Sequence, residues 1–152
     1  MMQSMINLQA TDQVKIFSDG GARGNPGPAA TGYVVIVGEE VVWEDKNYLG
    51  ETTNNVAEYE AIKQALSKIA SLPLLPKSID CFLDSELVVK QLKGEYKIKQ
   101  AHLALHATQV YQLIKQMKER GCAQISFNYV PRTQNKAADA LVNQALDAQA
   151  KL

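Results

Sequence analysis

The apolar pattern changes period after residue 49, and that change restricts the chain to few architectures. Before it, VKIFSD (14–19), TGYVVIVG (31–38) and VVWEDKNYL (41–49) are runs rich in β-branched and apolar residues. The last two are separated by a few residues, which predicts an antiparallel hairpin. After it, Ile62, Ala65, Leu66 and Ile69 recur at helical spacing and predict an amphipathic helix over 54–71. LPLLP (72–76) stops that helix, because proline lacks a donor and clashes with the preceding turn. SIDCFLD (78–84) reads as a strand and ELVVKQL (86–92) as a short helix closed by Gly94. Leu103, Val110, Ile114 and Met117 mark a longer helix ended by Gly121. QISFNYV (124–130) alternates as a strand, and NKAADALVNQAL (135–146) is a final helix with Ala138, Leu141, Val142 and Ala145 inward. The order β-β-β-α-β-α-α-β-α predicts an α/β fold. Its five-stranded mixed sheet is a three-strand antiparallel meander plus two strands added by helical crossovers, which are right-handed and join parallel strands.

At 152 residues the chain reads as one domain, long enough to bury roughly 68–70% of its extended surface. The expected boundaries are an N-terminal tail at 1–13, the domain at 14–148 and a C-terminal tail at 149–152. Lys plus Arg and Asp plus Glu number 16 each, so bulk charge favours no partner and any nucleic-acid binding rests on local patches. No apolar run approaches the ~20 residues of a membrane span, and the first 13 residues do not resemble a signal peptide. Cys81 and Cys122 follow no metal-ligand spacing and read as reduced thiols. The expected compartment is the cytoplasm.

FSDGGARGNPGP (17–28) has the glycine and proline density of a tight turn, yet it opens with an acid at the mouth of a strand. Ligands of α/β sheets gather at the carboxyl ends of parallel strands, and Asp19 and Asp84 occupy two such ends. Glu58 follows the turn-like TTNN (52–55), and Asp139 follows PRTQN (131–135), each in the first turn or so of a helix. Acids at one edge repel one another unless cations neutralise them, and hard oxygen ligands suit Mg²⁺ or Mn²⁺. Taken singly, each acid has a plain structural job: helix first turns favour carboxylates, and Asp commonly forms turns.

FSDGGARGNPGPAATGYVV, NNVAEYEAIKQAL, CFLDSELVVKQLKGEYKIK and YVPRTQNKAADALVNQAL together resemble type I ribonuclease H over residues 14–148. The resemblance implies a ribonuclease H-like fold in which Asp19, Glu58, Asp84 and Asp139 are the catalytic, metal-binding acids. It implies an endonuclease that hydrolyses the RNA strand of RNA–DNA hybrids with two Mg²⁺ or Mn²⁺ ions, leaving 5′-phosphate and 3′-hydroxyl ends. A monomer with no obligate protein partner and no membrane association is expected. Gly20, Gly21 and Asn25 would meet the substrate, Asn54 would read the RNA strand, and Thr53 with Asn55 would grip a DNA phosphate. TTNN is equally a helix cap, since Thr and Asn are favoured there.

The chain departs from the family pattern in two places. The long basic protrusion of some members is reduced to Lys90, Lys93, Lys97 and Lys99 around Gly94, either a phosphate-binding strip or a solvated face. In the loop before the last acid, where many members carry histidine, this chain has Arg132, which stays protonated and cannot serve as a general base. It remains able to hold a phosphate. His102 and His106 lack the intervening acid of a zinc motif and are expected to be exposed helix residues. A catalytically silent hybrid-binding module and a proofreading exonuclease are the competing readings. The first has no need of four repelling acids, and the second typically shows D-x-E where this chain has Asp19-Gly20-Gly21.

Overall fold

The computed structural model describes residues 8–9 and 12–152. Five strands form one sheet: β1 (Gln13–Ala22), β2 (Gly27–Val37), β3 (Glu40–Thr52), β4 (Ser78–Leu83) and β5 (Gln124–Tyr129). Their order across the sheet is β3-β2-β1-β4-β5. β1, β2 and β3 pair antiparallel, while β4 lies parallel to both β1 and β5. The helices are α1 (Asn54–Ala70), α2 (Glu86–Leu92), α3 (Ala101–Glu119) and α4 (Lys136–Ala150), with a 3-10 turn at Arg132–Gln134. Element order and mixed-sheet topology match the sequence expectation.

The first hairpin departs from it. The glycine-rich stretch is mostly strand, so the loop shrinks to Arg23–Pro26, which holds a cis Asn25–Pro26 bond. The antiparallel ladder continues through Gly20↔Thr31, Gly21↔Ala30 and Ala22↔Ala29. Gly20 and Gly32 serve close approach rather than turning. A Cβ on Gly20 would run into the Ala57 carbonyl at the start of α1, and one on Gly32 would stand 2.6 Å from the Leu141 Cβ of α4. Small residues in the sheet let a helix settle on each face.

Apolar residues on one face of the sheet, among them Val14, Ile16, Val35, Ile79 and Leu83, pack with Ile62, Leu66 and Ile69 of α1 and with Val110 and Met117 of α3 in the main core. The other face carries α4, whose Val142, Ala145 and Leu146 close a small separate cluster on Ala30. Thr53 caps α1 by accepting from the Val56 N–H, and Arg120 closes its far end, donating to the carbonyls of Ala70 and Leu72 at 2.6 Å each. Gly94 (φ 79°) follows α2 in a left-handed conformation that costs glycine little. Leu8, within the expected N-terminal tail, is buried against the main core; residues 1–7, 10 and 11 of that tail lie outside the described residues. α4 runs four residues beyond its expected end at 146, to Ala150. Both cysteines are free and buried.

Candidate active site

β1 has two neighbours of unequal length. Its parallel pairing with β4 stops at Ser18↔Leu83, whereas its antiparallel pairing with β2 continues to Ala22↔Ala29. Asp19 is the first residue past the end of the parallel ladder, so it stands in a notch rather than at the end of its own strand, as the sequence had suggested. Asp84 leaves β4 on the other side of that notch. Glu58, in the second turn of α1, is drawn in by the Gly20 N–H, which donates to its Oε1 at 2.8 Å. Asp19, Glu58 and Asp84 each offer a carboxylate oxygen within 4.8 Å of the others, the one such acidic cluster among the described residues. Asp139, in the first turn of α4, lines the same cleft. Asn135, one residue before α4, donates to the Ser18 carbonyl at 2.9 Å and fastens this helix beside Asp19.

Burial and crowding set the charge state. Asp19 is 5% exposed and Glu58 6%. Loss of hydration pushes Asp19 up to about 7, with the Asp84 and Asp139 charges adding to the rise and a hydrogen bond from Glu58 opposing it. Glu58 is held well above the ordinary carboxylate range by burial, then by its hydrogen bond with Asp19 and that group's charge. Without a cation the pair therefore retains a proton that isolated carboxylates would release near pH 4. Glu58 Oε2 is buried, and no N–H or hydroxyl among the described residues donates to it, so only a proton shared with Asp19 or a cation can satisfy it. An orphaned acceptor in an all-oxygen, anionic donor set fits a hard divalent cation.

The remaining expected residues divide by what they touch. Asn25 Oδ1 accepts from the Asn54 N–H at 3.0 Å, and Asn54 Oδ1 accepts from the Ala22 N–H at 2.8 Å. These bonds lock the first hairpin turn to the start of α1 and leave both amide NH₂ groups without a protein partner among the described residues. Thr53 uses its hydroxyl in the helix cap, while Asn54 and Asn55 line the cleft. Gly20 has its N–H committed to Glu58, whereas a Cβ on Gly21 would make only an ordinary contact with Val142 Cγ1, at 3.8 Å. Arg132 is 79% exposed and meets Asp139 at 3.4 Å.

Two lysines of the expected strip have local partners: Lys90 donates to the Tyr96 hydroxyl, and Lys93 pairs with Glu95. Lys97 and Lys99 are exposed. His106 corrects the expectation of an exposed side chain. It is half-buried, stacked on Tyr59 at 6.1 Å, with Nδ1 3.3 Å from Glu60 but outside hydrogen-bond geometry. The long α1–α3 contact covers it, which a two-histidine helix pattern does not reveal. Sequence reasoning missed Arg23, Ser85, Val142, Asn143 and Leu146, all of which line the cleft. The helical repeat carried a signal for two of them, because Val142 and Asn143 stand three and four residues after Asp139 on its face.

A family described as reverse transcriptase-like matches residues 17–145. The chain is 38% identical to the bifunctional protein Rv2228c of Mycobacterium tuberculosis over 141 residues, covering 91% of this chain and 37% of that protein. It is also 38% identical to ribonuclease HI of Halobacterium salinarum over 136 residues, 89% of this chain and 65% of the relative. The chain thus spans less than two thirds of these relatives. The solved N-terminal RNase H domain of Rv2228c superposes with a TM-score of 0.83, at 38% identity, over 93% of this chain and 98% of that one. LC11-RNase H1, solved in complex with an RNA/DNA hybrid, superposes at 0.79 with 39% identity, over 90% of this chain and 99% of that one.

Proposed function

The chain belongs to the type 1 ribonuclease H family, and on that premise we propose that it is an endoribonuclease acting on the RNA strand of RNA–DNA hybrids, leaving 5′-phosphate and 3′-hydroxyl ends. The observation that carries this reading is the convergence of Asp19, Glu58 and Asp84 within 4.8 Å, with Glu58 left one acceptor short of a partner. These three, with Asp139, would hold two Mg²⁺ or Mn²⁺ ions together with substrate. Bound there, such ions supply an activated water and stabilise charge on the leaving oxygen. The protein's own groups do the rest. Burial raises the pKa of Asp19 and Glu58, so a cation held there would compete with protons for these two carboxylates. Arg132, exposed beside Asp139, offers a permanent cation to the scissile or departing phosphate without moving a proton. The amide groups of Asn25, Asn54 and Asn55, at the turn where α1 meets the first hairpin, face a minor groove in which 2′-hydroxyls distinguish RNA from DNA. Thr53 and Asn55 remain the proposed grip on a DNA phosphate.

The test is direct. End-labelled hybrid, RNA duplex and DNA duplex are incubated with Mg²⁺, Mn²⁺ or excess chelator. Internal cuts in the RNA of the hybrid alone, abolished by chelator, are expected. Equal cutting of DNA duplex, or full activity in chelator, would overturn the reading.

A further inference from the structure

The acid cleft does not end at the acids. It continues along β1 and α4 to Arg23, Val142, Asn143 and Leu146. Arg23 lies four residues on from Asp19, just past the end of β1, roughly 13 Å of extended chain away. Across the cleft, Asn143 is one helical turn beyond Asp139, about 6 Å. These two lines meet: Arg23 Nη2 donates to Asn143 Oδ1 at 3.2 Å and lies 2.8 Å from an Asp147 carboxylate oxygen. Asn143 is itself fixed, its amide donating to the Asp139 carbonyl at 3.1 Å. The guanidinium is therefore steered by α4 yet 46% exposed, and both contacts fall on one nitrogen. Nη1 and Nε have no protein partner among the described residues, and each keeps an N–H able to donate to a phosphate oxygen.

We propose that Arg23, positioned by Asn143 and Asp147, is a second phosphate subsite that holds the RNA strand at a phosphate next to the one being cut. This rests on the ribonuclease reading above. Arg23 follows Asp19 just past the end of β1 and borders one continuous cleft with the acids, so the chain entering it is the one whose phosphate reaches Asp19. Val142 and Leu146 supply an apolar wall between the two phosphate positions, where a ribose would lie. In a protein with no net charge, one such contact carries a measurable share of the electrostatic grip.

The experiment compares wild type, Arg23→Ala, Arg23→Lys and Lys118→Ala, the last a charge-matched change at the far end of α3. Steady-state cleavage of one hybrid is followed over a range of KCl concentrations. Arg23→Ala should raise KM about five-fold with kcat within about two-fold, and flatten the log–log salt dependence by about one. Arg23→Lys should restore the salt slope but only part of the affinity, having the charge but not the contacts that Asn143 and Asp147 make to hold the guanidinium in place. Lys118→Ala should change neither. A set of hybrids, each with one uncharged methylphosphonate, locates the contact. Neutralising the contacted RNA phosphate should weaken wild type and leave Arg23→Ala unaffected. An unchanged KM and salt slope for Arg23→Ala, a fall in kcat alone, or coupling only to DNA-strand phosphates each overturns the subsite while leaving the ribonuclease reading intact. A wild-type protein that leaves hybrid uncut overturns both.

Discussion

Asp19 combines near-complete burial with three further acids around it, and its protonation reaches into stability as well as chemistry. Its carboxyl is held at about 7 in the folded protein against an ordinary value of 3.8. The folded state therefore binds more protons than the unfolded state between those values, so metal-free stability falls as pH rises through that window. Below about 4 both states are protonated and the contribution is fully present; above about 7 it is gone. Metal-free protein should consequently melt at lower temperature at pH 7.5 than at pH 5, measured by circular dichroism in chelator. Asp19→Asn should flatten that slope, abolish cleavage, and melt no lower than wild type at neutral pH. Added Mg²⁺ should raise the melting temperature of wild type more than that of the variant, by ligand linkage. A strongly lowered melting temperature for Asp19→Asn would make the residue structural instead. The acids were legible in the sequence because each follows a recognisable break in pattern. Glu58's orphaned oxygen was not, since it depends on a hydrogen bond from Gly20, 38 residues away.

Elements meet at the glycines, and here the sequence misled in an instructive way. Gly20 and Gly21 have turn composition, but both lie within β1, and only the packing of α1 distinguishes them. Gly20→Ala should push the start of α1 off the sheet, at a cost of about 1–3 kcal/mol by overpacking, and displace Glu58 with it. Gly21→Ala meets only Val142 Cγ1 at 3.8 Å and should leave the melting temperature within about a degree or two of wild type. Equal destabilisation by the two changes would show that strand flexibility, not helix approach, is what glycine supplies. The period of α1, its stop at the prolines and the hairpin of β2 and β3 were readable because those signals are local. The Arg120 clamp on the Ala70 and Leu72 carbonyls was not, because its acceptors are supplied some 50 residues earlier in the chain.

At the scale of the whole molecule, the sheet divides the protein into unequal halves. The main core joins α1, α2 and α3 to one face of the sheet, whereas α4 covers the other face with Ala138, Leu141, Val142, Ala145 and Leu146 and a few polar ties. Those ties include Asn135 to Ser18, Lys46 to Gln144 and Arg23 to Asp147. A helix packed apart from the main core is a candidate for sub-global opening, detaching while the rest of the protein stays folded. Backbone amides of 136–150 should then exchange with deuterium faster than those of 54–70, and heat should extinguish cleavage several degrees below the main circular-dichroism transition. A single coincident transition would mean that α4 and the sheet act as one cooperative unit. Because α4 carries Asp139, the site is complete only while that helix is docked on the sheet. Opening of α4 alone would withdraw Asp139 from the other acids and leave the cleft inert until the helix returned.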